Sequence, residues 1–310
     1  MEKQKSEDEA EMRFLVRAVS VGLLVCLAWT FVQGAGPKRP HIYAIQSISL
    51  LSSDVPDAIK LYRSLSKLDV PCLSCEDSSK DTVVFSSGQA VRVLPMSQPA
   101  PADLVVNIRF GVDNLEVLKK YLSANHLEFT ESKGPDKEMG NILSLVDPEG
   151  HSISFAKQQK NTGVKDHTNR MIHTGFVVKD RVAMDKFYKD ILGFRLYWSG
   201  GMKDGETNWV DMQVPDGTDW VEYMLNIPAD ADKRTLGVMN HFALGVPSVK
   251  TAAVQLEKAG VKLTEAPKIG KDGKWQLNLY DPDATRVELM EFTPVEKPCC
   301  SEYSGNQPKP

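Results

Sequence analysis

The chain reads as an α+β protein of four related modules in two pairs, and three observations predict this. First, four segments of about 60 residues share one order: a strand-like apolar stretch, an amphipathic helix, then further short strands. The period is too long for a common solenoid, so duplicated modules fit better. Second, the strand-like stretches alternate, with bulky apolar residues on one face and small or polar residues on the other. Third, a polar segment without periodicity, QQKNTGVKDHT at 158–168, separates the second module from the third. One helix per module implies sheets that carry helices on one face. The other face is then covered by a partner module or left as a cleft.

Residues 1–35 precede the modules. Arg13 and Arg17 lead into an apolar run from Ala18 to Val32, and Val32-Gln33-Gly34 offers a cleavage site before Ala35. This is the pattern of a secretory signal peptide. The run is shorter than the roughly 20 residues of a membrane span, and an uncleaved signal anchor is the alternative. The expected location is therefore exported, periplasmic or extracellular, or membrane-anchored through this segment alone. Net charge is −4, with 42% hydrophobic and 25% charged residues, as in ordinary soluble globular proteins. No strong basic patch argues for nucleic acid.

The first module, 41–101, is read as strand IQSISLLS, helix DAIKLYRSL, then TVVFSS and AVRVLPM. The second, 102–159, gives VVNIRFGV, helix LEVLKKYLSANH, ILSLV, turn DPEGH and SISFAK. The third, 169–228, is the clearest. MIHTGFVV leads into helix RVAMDKFYKDIL, where Val182, Phe187, Ile191 and Leu192 share an apolar side and Gly193 stops the helix. FRLYW, NWVDMQV and WVEYML follow. The fourth, 236–294, repeats the order with HFALGV, helix VKTAAVQLEKAG, VKLTEA, WQLNLY, turn DPDAT and RVELMEF. A Pro/Lys/Ser/Gly-rich tail at 295–310 is expected to be disordered.

Two histidines and two glutamates recur in register in the second pair. His173 and His241 open their strands; Glu222 follows His173 by 49 residues, and Glu288 follows His241 by 47. Alternation puts Ile172, Phe176 and Val178 on one face of MIHTGFVV and His173, Gly175 and Val177 on the other. In the other three strands the same rule places His241, Glu222 and Glu288 beside small or flexible residues, opposite the bulky face. Four polar groups therefore project into one sheet concavity. A lone histidine on a strand is usually a core or surface residue, and a lone glutamate is usually solvated. It is the shared register that points to one metal site. His41, His126, His151 and His167 lack that register, and Glu291 is expected at the helix side or rim.

The strand–helix–strand order, the LGF at Leu192–Phe194, the DPEG and DPDA turns and the VEL around Glu288 resemble the vicinal oxygen chelate superfamily. That superfamily includes glyoxalase I, type I extradiol dioxygenases and bleomycin-resistance proteins. The resemblance covers residues 41–294 and is strongest from 169 onward. It implies βαβββ modules whose pairs each form a curved-sheet cleft. It also implies metal ligands His173, Glu222, His241 and Glu288 in the pair at 169–294. The pair at 41–159 has Ser47, Asn107 and Ser154 at matching positions and is expected to be metal-free.

A His2Glu2 site with open positions suits one divalent transition metal: Zn, Ni, Mn, Co or Fe(II). Such an ion binds two vicinal oxygens of a small-molecule substrate as a Lewis acid. The function implied is that of a glyoxalase-like lyase or isomerase working through a metal-bound enediolate. Glu222 would be the carboxylate that detaches to shuttle a proton, with Glu288 as the other catalytic carboxylate. A monomer suffices for the site. Trp209, Trp220, Trp275 and Tyr280 are candidate cleft walls, and Lys268, Lys271 and Lys274 lie beside the cleft.

Two other readings compete. An extradiol dioxygenase fits the four-module layout with its metal in the second half. However, no histidine lies between His173 and His241 or after His241, and Glu222 adds a fourth ligand. A metal-free ligand-binding protein would not need the four ligands. Cys72-x-x-Cys75 is read as a local disulfide or two small core residues, since the preceding Pro71 and the acidic residues after it do not suit a redox motif.

Overall fold

The computed structural model describes residues 36–68, 80–134, 140–158, 169–203 and 205–310. The segment read as an export signal, the Cys72–Cys75 motif and all but Gln158 of the linker lie outside the described residues. Residues 39–310 make one compact unit. Among the described residues, no helix is long and apolar enough to cross a membrane.

The first module comprises β1 (Ile42–Ser52), α1 (Val55–Ser66), β2 (Thr82–Val84) and β3 (Ala90–Pro95). The second comprises β4 (Val105–Val112), α2 (Leu115–Ala124), β5 (Thr130–Lys133), β6 (Asn141–Val146) and β7 (Ser152–Lys157). The third comprises β8 (Arg170–Val177), helix α3, which is α-helical over Arg181–Asp185 and π-helical over Lys186–Ile191, then β9 (Arg195–Gly200), β10 (Trp209–Gln213) and β11 (Trp220–Met224). A short helix α4 (Lys233–Met239) precedes β12 (His241–Val246), α5 (Val249–Lys258), β13 (Lys268–Ile269), β14 (Trp275–Tyr280) and β15 (Arg286–Glu291).

Each helix starts in the same way. The side chain of Asp54, Asn114, Asp180, Asp232 or Ser248 accepts a hydrogen bond from the backbone N–H three residues on, satisfying one of the otherwise unpaired first-turn donors. Gly193, with φ 79°, then turns the chain out of α3.

The strands form two curled sheets. One has the order β2-β3-β1-β4-β7-β6-β5; the other is β13-β14-β15-β12-β8-β11-β10-β9. In both, the first strands of two modules lie side by side and antiparallel, β1 with β4 and β8 with β12. Each is flanked on its outer side by the last strand of its own module, running parallel. This topology is what makes residues on first and last strands neighbours despite their separation in sequence.

Several expectations need correction. Ile172 does not share the helix-side face with Phe176. The pairing of β8 with β12 shifts between Ala243 and Leu244, leaving Ile172 as an extra residue, a bulge that re-aims the chain. Met171 enters the main core in its place, while Ile172 packs on the cleft side with Ala243 and Met290. An equivalent shift in β1 isolates Gln46. Val182 is exposed, because the π-turn rotates the buried face of α3 onto Met184, Phe187, Tyr188 and Leu192. VKLTEA is not a strand; only Lys268–Ile269, just past Pro267, pairs as β13. The tail at 295–310 is not disordered: Ser304 donates to Leu196 O, Gln213 donates to Asn306 O, and the Tyr303 ring packs at a tilt against Tyr197. Cys299 and Cys300 within it are joined to each other.

One continuous apolar core runs through the helix-side faces of both sheets and the helices between them. Acidic turns of the second pair bind donors of the first. Asp216 accepts from Arg39, His41 and the Ile42 N–H; Asp283 accepts from Ser52 and Ser53; Asp281 accepts from the Tyr62 hydroxyl at 2.9 Å.

Burial pushes the Asp281 carboxyl from 3.8 up to about 6. Between those values the folded chain holds a proton that the unfolded chain has lost, so this group's contribution falls as pH rises through that window. Asp281→Asn is therefore expected to flatten the pH dependence of urea stability between pH 4 and 6. The change in slope should approach about 1.4 kcal/mol per pH unit. An unchanged slope would show that Asp281 does not titrate there.

Candidate metal centre

The cluster is built from four strands of the second sheet. Strand β12 presents His241 beside Ala243 and Gly245, and β8 presents His173 beside Gly175. Strands β11 and β15 bring Glu222 and Glu288 to the flanks, where Glu222 pairs with Gly175 and Glu288 with Ala243. The opposite faces of these strands carry Phe176, Tyr223, Phe242 and Leu289 into the core, which fixes the polar side outward. Gly175 is a steric requirement of the site, since a Cβ there would overlap the His241 ring. Gly175→Ala is expected to displace that ring and weaken metal uptake at least about 10-fold, at a stability cost of about 1–3 kcal/mol. Metal content and urea unfolding of the same preparation check both effects, and full metal affinity in the variant would contradict this reading of the site.

The four side chains meet. His173 Nε2 and His241 Nε2 are 3.1 Å apart. Glu222 Oε2 is 3.1 Å from His241 Nε2 and 3.8 Å from His173 Nε2, and Glu288 Oε2 is 3.7 Å from His173 Nε2. Ligand atoms held about 2.1 Å from one ion are roughly 3.0 Å apart at right angles and roughly 3.4 Å apart at tetrahedral angles. The two shorter spacings, both 3.1 Å, fall between those values, and the two longer ones, 3.7 and 3.8 Å, lie just beyond the second.

The protonation states suit ligation. Burial drives both imidazoles well below their ordinary pKa, so both are neutral. His241 Nδ1 lies 2.9 Å from Met239 O, which assigns the ring proton to Nδ1 and leaves the Nε2 lone pair facing the cluster. In this state the Arg286 guanidinium donates to that lone pair at 2.7 Å. Burial pushes the Glu288 carboxyl up to about 8, against the pull of Arg286 and with a further push from Glu222.

The charge inventory points the same way. Asp211, Glu222, Asp272 and Glu288 surround the centre, while Lys274 and Arg286 supply the nearby cations. These carboxyls crowd together and burial pushes Asp211, Asp272 and Glu288 up, so a divalent ion among them would relieve their mutual repulsion. The donor set of His173, His241 and Glu288 therefore fits a divalent transition metal, and Glu222 stands beside His241 at its edge.

A cavity of about 480 Å³ opens onto the cluster, lined among others by Trp198, Trp209, Trp220, Met202, Lys271 and Arg286. Of the expected walls, Trp209 and Trp220 take part. Trp275 and Tyr280 do not: Lys250 lies over the Trp275 ring, and the Tyr280 hydroxyl donates to Glu265. Lys268 and Lys271 line the cavity, but Lys274 is fully buried among the rings of Tyr197, Trp220 and Tyr303. Glu291 caps helix α5 by accepting from the Val249 N–H. His41 and His151 pair with Asp216 and Asp147, away from the cavity.

Sequence reasoning missed Trp198, Asp211, Asn278 and Arg286. Two of these were recoverable from alternation. Asp211 and Asn278 stand directly opposite Glu222 and Glu288 on the neighbouring strands and so share their face.

In the first sheet the same register puts Ser47, Asn107 and Ser154 at the places of His173, His241 and Glu288, and Arg92 at that of Glu222. There Ser154 donates to Asn107 Oδ1 at 2.9 Å, so the corresponding polar positions satisfy each other.

Comparison with known proteins agrees with this architecture. The family model Glyoxalase/Bleomycin resistance protein/Dioxygenase superfamily matches residues 170–289. A curated relative, the "Probable lactoylglutathione lyase, chloroplastic" of Arabidopsis thaliana, is 29% identical over 163 residues. The match covers 52% of this chain and 46% of that protein, so the chain spans about half the length of the curated relative. Among solved structures, homoprotocatechuate 2,3-dioxygenase from Arthrobacter globiformis superposes with a TM-score of 0.61 at 17% identity, covering 84% of this chain and 83% of the other. The enzyme of the same name from Brevibacterium fuscum, in an anaerobic complex with 3,4-dihydroxyphenylacetate, gives 0.60 at 17% identity, covering 87% and 84%. At such identities the likeness is one of fold. Residues 170–289, which form the ligand-bearing sheet, are thus similar to the Glyoxalase/Bleomycin resistance protein/Dioxygenase superfamily.

Proposed function

We propose that the protein is a metal-dependent lyase or isomerase of the glyoxalase type, acting on a small substrate with two adjacent oxygens. The observation that carries this reading is Glu222, whose Oε2 reaches both histidines and gives the cluster a second carboxylate. A divalent ion held by the cluster supplies Lewis-acid polarisation of a substrate oxygen.

The chain's own groups do the rest. His173, His241 and Glu288 are buried and fixed. Glu222 keeps 13% of its side chain exposed, lines the cavity and is the carboxylate placed to let go and carry a proton between substrate carbons. Trp198, Trp209 and Trp220 exclude water, while Lys268, Lys271 and Arg286 give the cavity a cationic side that favours an anionic substrate. Export, or anchoring by the segment before Ala35, belongs to the same proposal and rests on the sequence alone.

A second reading is favoured by one observation. His173, His241 and Glu288 offer ligand atoms all within 4.8 Å of one another, the two-histidine, one-carboxylate set that suits ring-cleaving dioxygenases. Against it, none of His41, His126 and His151 lines the cavity. The two readings separate in one experiment on metal-reconstituted protein. Adducts of 2-oxoaldehydes with thiols should be isomerised without oxygen consumption, and Glu222→Gln should abolish turnover. Oxygen uptake with catechols, retained in Glu222→Gln, would replace the isomerase with the dioxygenase.

A further inference from the structure

We propose that the substrate carries hydroxyl groups beyond the two adjacent oxygens, and that Asp211 and Asn278 receive them on the two flanks of the metal cluster. The inference rests on the chelating reading given above and adds the substrate class.

Asp211 pairs across β10–β11 with Glu222, and Asn278 pairs across β14–β15 with Glu288. The module repeat thus puts the two residues at equivalent places, one on each flank. Both line the cavity, and both are buried, at 4% and 7% exposure. Asp211 Oδ1 and Asn278 Oδ1 nevertheless have no hydrogen-bond partner among the protein atoms. The orientation of the Asn278 amide is set by its hydrogen bond to the Glu265 carboxylate, which directs the nitrogen there. A buried acceptor left unpaired costs about 1–3 kcal/mol, so a ligand that supplies a donor at either place recovers that amount.

The same cavity holds unpaired donors. Trp220 Nε1 and Arg286 Nε are also buried without a partner. Hydroxyl groups donate and accept, so they satisfy both kinds of orphan; an ammonium group only donates, and a carboxylate only accepts. Glycines, a bulge and the strand register fix the ligand set without a hydrogen bond to either of these oxygens. With tryptophans for walls and room for about 480 Å³ of ligand, the class is a ring bearing three or more hydroxyls.

The test uses zinc-loaded full-length protein under anaerobic conditions, titrated by tryptophan fluorescence with catechol, pyrogallol and 3-methoxycatechol. Pyrogallol and 3-methoxycatechol differ in whether the third oxygen carries a proton. Pyrogallol is expected to bind about 10-fold more tightly than its methyl ether. Asp211→Asn, which keeps an acceptor, should preserve the ratio. The double variant Asp211→Leu/Asn278→Leu should bring it close to one, each affinity being referred to the zinc content of the same preparation. Should the double variant not fold, Asp211→Ala and Asn278→Ala singly must each reduce the ratio. Equal affinities in the native protein, an unaltered ratio in the variants, or loss of zinc on replacing Asp211 overturns the proposal. Failure of all three probes to bind the zinc-loaded protein instead overturns the chelating reading beneath it.

Discussion

Purified protein reconstituted with zinc is expected to hold one ion per chain, and His173→Ala, His241→Ala and Glu288→Ala are each expected to lower the affinity by at least about 100-fold. The reason is geometric. The two Nε2 atoms lie 3.1 Å apart and Glu288 Oε2 lies 3.7 Å from one of them, so each of the three supplies one of the few atoms that face a common point. Glu222→Ala should cost less, because that carboxylate is the most exposed of the four. Ion binding at 1,000 times the dissociation constant stabilises the folded chain by about 4 kcal/mol, so the metal-loaded form should unfold later than the chelated one. Ser47→Ala and Ser154→Ala serve as controls at the equivalent places of the first sheet. Elemental analysis with a chelator competition checks the series, and full occupancy after His241→Ala would remove the site.

The second large effect is expected at Lys274. Its ammonium is fully buried and ringed by Tyr197, Trp220 and Tyr303, and its acidic neighbours are Asp272, Asp211 and Glu288. Burial lowers its pKa to about 8, yet the three carboxylates pull the other way and keep a charge there at neutral pH. Lys274→Met leaves those carboxylates facing each other with one compensating cation fewer. Removing one member of a buried charge pair costs about 3–5 kcal/mol. The deficit should shrink as pH falls through the Asp272 value of about 6. In the variant that carboxyl holds its proton to higher pH than in the native chain, so the variant's folded state gains protons, and hence relative stability, as pH drops. Urea unfolding of metal-free protein at pH 7.5 and pH 5 measures both effects. An equal deficit at the two values would show that Lys274 acts through packing alone.

Much of this architecture was legible because strand alternation and the module repeat are local signals. They placed His173, Glu222, His241 and Glu288 on one face of one sheet, where the structure has them. Where the reading failed, a non-local term prevailed. The bulge at Ile172 exists because β8 must pair with β12, and nothing in MIHTGFVV announces it. The π-turn in α3 shifts the buried face off Val182. The tail carries the composition of a disordered segment, yet Tyr303 and Ser304 find partners on Tyr197 and Leu196. Lys274 was read only as lying beside the cleft, because its aromatic box comes from three separated parts of the chain. Asp211 and Asn278 obey the same alternation, but they stand on β10 and β14, neighbouring strands that carry no histidine or ligand glutamate to mark the face.

The ties between acidic turns and the first module pair have a consequence for any attempt to trim the protein. Asp281 and Asp283 stand in the turn that feeds the strand bearing Glu288, and their donors come from Tyr62, Ser52 and Ser53. A fragment beginning at residue 169 would keep every proposed ligand and lose the clamp that sets where one of them starts. The half without the histidines is thus a mould for the half with them, free to change its own hollow face while its rim stays bound to its sister.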